Sequence, residues 1–168
     1  MIEGHYSNVR EVEIPRRVEL LSTGAPVTSS DPEPLGDLTL VTDGDKEADD
    51  GYFLDVMAGQ QWVQIDLGSP RELWLIWQWK YYKHPVIYKD VIIEVAAKED
   101  FSDASIVFNN DYDDSSGMGI GADKSWKEAN CGFPVKLNGV TARYVRLYSN
   151  GRSIDDTNHW IEVEVYGR

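Results

Sequence analysis

Apolar residues recur at every second position in this chain, and no stretch of twelve or more residues holds a helical period between caps. Such alternation puts successive side chains on opposite faces of a strand, which restricts the chain to sheet architectures. The clearest run is "WIEVEVYG", where Ile161, Val163 and Val165 face one way and Glu162, Glu164 and Tyr166 the other. In "WVQIDLG", Val63, Ile65 and Leu67 share a face opposite Gln64 and Asp66. "ELWLIWQW" is apolar on both faces, as in a strand covered on both sides. "DVIIEVAA" aligns Val91, Ile93 and Val95, "ASIVF" and "ARYVRLYS" add two strands, and "VELLS" and "FPVKL" are weaker candidates. "DKSWKEA" has room for one helical turn. About eight strands at this spacing predict an all-β, antiparallel two-sheet sandwich or jelly roll.

The 168 residues fit one domain, and 42% apolar with 27% charged residues supports a packed core. Residues 1–16 are polar and read as an arm or linker, leaving 17–168 for the domain. Twenty-nine acids against sixteen bases give a net charge of −13, which argues against nucleic acid and against adhesion to anionic lipid. No apolar run reaches the roughly 18 residues of a membrane span, so no membrane insertion is expected. The opening "MIEGHYSNVREVEIPRR" has no apolar signal core, so a secretion signal is either absent or outside this chain. The single Cys131 excludes an internal disulfide.

Between Asp31 and Asp66 lie ten acids and one base, Lys46. Massed carboxylates repel unless water or a cation offsets them, and "TDGDKEADD" can supply the six to eight hard oxygens that calcium takes. A solvated acidic loop is the alternative. The loop is not an EF-hand, since position 6 is Ala48 rather than Gly and position 12 is Leu54 rather than Glu. In the second acidic stretch, Asn109, Asn110, Asp111, Asp113 and Asp114 can cap turns or hold a second cation, and the turn reading is preferred. "GMGIG" lacks the spacing and the Lys-Ser/Thr pair of a phosphate loop.

Sugar recognition needs an aromatic face for the C–H face of a ring and fixed polar groups for its hydroxyls. "KYYKHPVIY" brings Tyr81, Tyr82 and His84 behind Trp79, "YSNGRSIDDTNHW" adds Asn150, Arg152, Asp155, Asn158 and His159, and "DKSW" adds Trp126. The first two segments can meet at one end of a sandwich. Trp62, Trp74, Trp77 and Trp160 read as packing residues, Tyr144 and Tyr148 as sheet residues. Asn158 and His159 are equally readable as braces of a loop beside the acidic one. The three histidines form no H-E-x-x-H motif, no G-x-S-x-G elbow is present, and Cys131 reads as a small semi-buried hydrophobe.

In the order "VELLSTGAPVTSSD", "TDGDKEADDG", "QWVQIDLGSPRELWLIWQW", "ARYVRLYSNG" and "HWIEVEVYG", residues 18–168 resemble discoidin domains, the coagulation-factor C-type domains that include the family 32 carbohydrate-binding modules. The resemblance implies an eight-stranded jelly roll with a structural calcium ion and a binding surface on loops at one end. It implies side-chain ligands from Asp43, Asp45 and Glu162 and carbonyl ligands from Leu40 and Ala48. Members often have Thr where this chain has Ala48, so a hydroxyl ligand is lost. The expected function is a non-catalytic, calcium-stabilised carbohydrate-binding module of an extracellular or periplasmic bacterial protein. It would bring an attached or partner enzyme to a polysaccharide. The alternatives are a protein-binding or adhesion module of the same fold and a small glycan-active hydrolase.

Overall fold

A computed structural model describes residues 2–3 and 10–168, with side chains from residue 10 onward. Of the expected arm, residues 1 and 4–9 lie outside the described residues. The chain is all-β: β1 (Ile2–Glu3), β2 (Glu11–Val12), β3 (Glu19–Leu20), β4 (Val27–Ser29), β5 (Leu54–Val56), β6 (Gln61–Trp79), β7 (Ile92–Ala96), β8 (Ser105–Asn109), β9 (Phe133–Ser149), β10 (Asn158–Trp160) and β11 (Glu162–Gly167). The principal sheet is antiparallel in the order β3-β11-β6-β9-β7-β8, with β4 on the first half of β6.

Two long strands give this sheet its layers. "WVQIDLG" and "ELWLIWQW" form one continuous strand, β6, and "FPVKL" with "ARYVRLYS" forms another, β9. Their pairing shifts register between Asp66 and Arg71 and again between Leu73 and Leu75. On one side of the shifts, β6 and β9 pair with β4 and β7; on the other, β6 pairs with β11. The halves of each strand thus serve two different layers. Val63, Ile65, Ile93, Val145 and Leu147 from one layer and Leu73, Ile76, Val135, Val163 and Val165 from the other share one buried core.

The outer face of β6 and β11 is buried too. Ala48, Leu75, Trp77, Trp79, Ile161 and Tyr166 form a second cluster, covered by Val12, Ile14, Val18 and Phe53. This explains why "ELWLIWQW" is apolar on both faces. It also places Ile161 with the second cluster rather than with Val163 and Val165. Trp77 and Trp79 stack with centroids 5.7 Å apart. Trp74, expected in the core, is only half-buried, and its Nε1 donates to Glu72. "DKSWKEA" forms no helix; Lys127 instead pairs in extended conformation with Ile87.

Gly132 shows how closely backbone approaches this cluster. It has φ +65°, and a Cβ there would lie 2.6 Å from the Trp79 ring. Because Trp79 is buried and cannot retreat, Gly132→Ala is expected to cost about 2–4 kcal/mol from strain and overpacking together. A thermal melt measures this directly, and an unchanged midpoint would contradict the packing described.

Candidate functional site

β5 and β10 form a two-stranded sheet of their own, to which Leu35 adds a bridge at Asp55, and their register sets His159 opposite Asp55. The segment after β6 passes beside them and contributes Tyr81, His84 and Tyr88. Ring centroids lie 5.0 Å apart for Phe53 and Tyr81, 5.4 Å for Phe53 and His159, 5.6 Å for Tyr81 and His159, and 5.4 Å for Tyr81 and His84. Tyr81 and Phe53 are half-buried, His84 is exposed and His159 is buried. The group therefore has a fixed base and an open top. A cleft of about 250 Å³ borders it, lined by Leu35, Gly36, Asp50, Gly51, Phe53 and Asp55. A second, of about 220 Å³, continues past Leu35 and Asp55 to Asp31, Glu33, Val56 and Met57.

His159 is the anchor. Its Nδ1 lies 2.9 Å from the Tyr88 hydroxyl and its Nε2 3.6 Å from Asp55 Oδ2. Burial, reinforced by Arg152 and Lys80, holds its pKa down to about 4. The neutral tautomer with hydrogen on Nε2 accepts from Tyr88 and turns its N–H toward Asp55. Partial burial raises Asp55 above the usual carboxylate range. Because the folded His159 pKa lies below its unfolded value, its contribution to stability is complete above about pH 6.5 and falls as pH drops toward 4. His159→Gln is expected to flatten that part of the pH–stability curve, as thermal melts across the window would reveal.

The other residues expected to bind ligand are placed differently. Trp79 is 1% exposed, donates from Nε1 to Asn130 O and lies under Lys46 Nζ at 4.9 Å. Trp126 stacks on Phe133 with centroids 3.6 Å apart and meets Phe108 edge-on. Neither offers a free ring face. Tyr82 is half-buried and donates to Lys46 O. Arg152 is buried and forms a two-pronged ion pair with Asp155, which also accepts from Thr157. That pairing keeps Arg152 within its own loop. Asn158 is fully buried: Oδ1 accepts from Ser149 Oγ and Gly151 N, and Nδ2 donates to Met57 O and Gly59 O. It braces two loops and has no group left for a ligand. The structure thus brings Tyr81, His84 and His159 together and holds Arg152 and Asn158 behind them. Sequence reasoning missed Phe53, Asp55 and Tyr88. Phe53 precedes and Asp55 lies within the three-residue β5, too short for periodicity to mark.

In the first acidic loop, the residues of the expected calcium site converge in part. Glu162 is 2% exposed, and both its carboxylate oxygens accept from Gly44 N, at 3.2 and 3.1 Å. Gly44, at φ +88°, makes the turn that points this N–H inward. Burial pushes the Glu162 pKa up to about 9, and Glu164 and Asp43 reinforce the shift. Lys46 pairs with Glu164 at 2.6 Å. A buried carboxylate beside other carboxylates fits a cation, since neutralisation is otherwise left to a proton. Asp43 Oδ1 accepts from Asp45 N, and Asp45 Oδ1 from Glu47 N, so both also cap turns. Leu40 lies in a 3-10 turn over Leu38–Thr42, and Ala48 is buried in the second cluster. Among the described residues, the group of three carboxylates whose oxygens lie within 4.8 Å of one another is Asp90, Asp111 and Asp113, rather than Asp43, Asp45 and Glu162.

No protein-family model matches the chain, and no curated protein matches it. Solved structures do. The chitosan-binding module 1 of a chitosanase/glucanase from Paenibacillus sp. IK-5 is similar at a TM-score of 0.64 and 18% identity, over 89% of this chain and 99% of that one. The family 32 carbohydrate-binding module of Clostridium perfringens NanJ, solved with galactose, is similar at a TM-score of 0.66 and 12% identity, over 89% and 98%. A truncated AlyQ with family 32 and alginate lyase domains is similar at 0.67 and 18% identity, over 90% of this chain and 34% of that one. The chain therefore has the galactose-binding-like β-sandwich fold of carbohydrate-binding modules. No helix among the described residues is long and apolar enough to cross a membrane.

Proposed function

We propose that the chain is a non-catalytic carbohydrate-binding module whose ligand rests on Tyr81 and His84, with Phe53 beside them. The observation that carries this reading is the aromatic group itself. Half-buried rings stand on a buried, neutral His159 at the mouth of clefts rich in carboxylate, in a fold that solved sugar-binding modules share. Rings supply the apolar platform, and Asp50 and Asp55 supply acceptors for hydroxyls or an amino group. Those carboxylates and the −13 net charge favour a neutral or amino sugar over a uronate. Calcium is proposed to hold the first acidic loop to β11 through Glu162, Asp43 and Asp45, with carbonyls of Leu40 and Ala48. Bound there, it would neutralise Glu162 and fix the loop that leads to Phe53. An extracellular setting and an attached or partner enzyme belong to the same reading, in which the module raises local substrate concentration.

A glycan array followed by calorimetry tests the proposal. Retention on neutral or amino-sugar polysaccharides is expected. Tyr81→Ala is expected to weaken binding about tenfold or more, and His84→Ala several-fold, with the melting midpoint little changed for exposed His84. Failure to bind any glycan would favour the protein-binding alternative, and release of reducing sugar would favour the hydrolase.

A further inference from the structure

The two clefts beside the aromatic group form one trough, because Leu35 and Asp55 line both. Its walls are stiff. Pro32 and Pro34 stand on either side of Glu33, and each proline fixes its own φ. Leu35 N donates to Asp55 O at 2.8 Å, and Asp55 N to Leu35 O at 2.9 Å. Gly36, at φ +97°, lets this segment close on the start of β5, since a Cβ there would lie 2.9 Å from Phe53 O. Asp31 is 4% exposed and pins both sides: Oδ1 accepts from Glu33 N and Oδ2 from Met57 N, each at 2.9 Å. Asn158 Nδ2 holds Met57 O from behind at 3.0 Å.

On this fixed backbone two large apolar side chains face solvent, Leu35 at 71% exposure and Met57 at 59%. Phe53 lines the first cleft, Leu35 stands at the junction and Met57 lines the second, so apolar surface continues outward from the aromatic group. Among the described residues no lysine or arginine lines the trough, while Glu33, Asp50 and Asp55 do. Glu33 and Asp50 are exposed and Asp55 is half-buried, so carboxylates run beside the apolar line. At about 250 and 220 Å³, each cleft falls below the roughly 300–1,000 Å³ of drug-sized ligand pockets and takes about one sugar ring. Joined at Leu35, the two take consecutive rings.

We propose that the trough binds a linear chain of amino sugars over successive rings, with ring C–H faces on Phe53, Leu35 and Met57 and protonated amines beside Glu33, Asp50 and Asp55. This rests on the reading of Tyr81 and His84 as the platform for one ring, which the trough extends. The occupant is then an internal stretch of a polysaccharide rather than a lone terminal sugar. Leu35 and Met57 set the preference for chain length, because each covers apolar ring surface that a monosaccharide leaves in water. Glu33 sets the preference for the amine, through charge complementarity on a surface without a base. The stiff walls reduce the ordering cost of binding a flexible chain.

The test is calorimetry of the full chain with D-glucosamine, its β-1,4-linked trimer and the corresponding glucose trimer, at mildly acid pH where the amines are protonated. The glucosamine trimer is expected to bind about tenfold or more tighter than the monomer, and several-fold tighter than the glucose trimer. Leu35→Ser and Met57→Ser replace solvent-facing side chains, so the melt should hold while the ratio of trimer to monomer affinity falls to about twofold. Glu33→Gln removes one charge and should bring the two trimers closer in affinity, as should added salt. Equal affinity for monomer and trimer, or an undiminished ratio in both serine variants, would overturn the trough and leave the aromatic platform standing. A glucose trimer bound as tightly as the glucosamine trimer would overturn the amino-sugar assignment. Absence of binding to all three would overturn the platform reading and the trough with it.

Discussion

Asn158→Ala is expected to lower the melting temperature by about 10 °C. Four hydrogen bonds end on this one buried amide, two from the end of β9 and its loop and two to the carbonyls of Met57 and Gly59. At about 1 kcal/mol each the loss is about 4 kcal/mol, and a domain of this size shifts by roughly 2–4 °C per kcal/mol. Asn158→Asp should fall between, because it keeps the acceptor for Ser149 and Gly151 and loses both donors. Amide exchange at Gly151 should accelerate in both variants if the midpoint falls for the stated reason. A melt within 2 °C of the wild type, on the scale of roughly 2–4 °C per kcal/mol, would mean that other contacts hold the two loops together.

The second large effect concerns Glu162. Removing calcium with a chelator is expected to lower the melting temperature by about 5–10 °C, since a ligand of the folded state at a hundred times its Kd contributes about 2.7 kcal/mol. Glu162→Gln keeps an acceptor for Gly44 N and cannot provide the charge, so its melt should be the same with calcium and with chelator. Proton linkage offers a second check. In calcium-free buffer the folded pKa of Glu162, about 9, lies above the unfolded value. Its contribution is then fully present below the unfolded pKa and is lost as pH rises toward 9. The stability of the wild type relative to Glu162→Gln should decline over that range and stop declining once calcium is added. A chelator without effect would remove the ion from the account and leave Glu162 as a protonated core residue.

The strands were legible where alternation was long. Val63 and Ile65, Val145 and Leu147, and Val163 and Val165 all face the principal core as their spacing required. Short elements were not. Val27–Ser29, Leu54–Val56 and Asn158–Trp160 hold three residues each, less than two periods of any pattern. Nor could alternation show that "WVQIDLG" continues through "GSPR" into "ELWLIWQW", because that depends on the partner strand β9. For the proposed site, residue type pointed to Tyr81, His84 and His159, whose rings the structure groups together. It could not separate ring faces that reach solvent from those spent on packing, as with Trp126 against Phe133, nor polar groups already satisfied, as with Asn158. Those distinctions depend on contacts between residues remote in the chain. In the second acidic stretch Asp111 accepts from Ser115 and Ser116, which residue type alone does not distinguish from a cation-holding cluster.

The continuity of β6 and β9 through both layers has a kinetic consequence. Gln61 pairs with Ser149 at one end of this ladder and Gln78 with Phe133 at the other, so nearly every contact closes a long chain segment. The entropy of those closures is lost before the contacts compensate for it, which places folding in the slow range of β-rich domains, milliseconds to seconds. Each layer has ladders of its own, β7 with β8 and β9 in one and β11 with β6 in the other, but β6 and β9 run through both. Refolding should therefore be a single concerted event, with no populated species in which one layer has formed and the other has not.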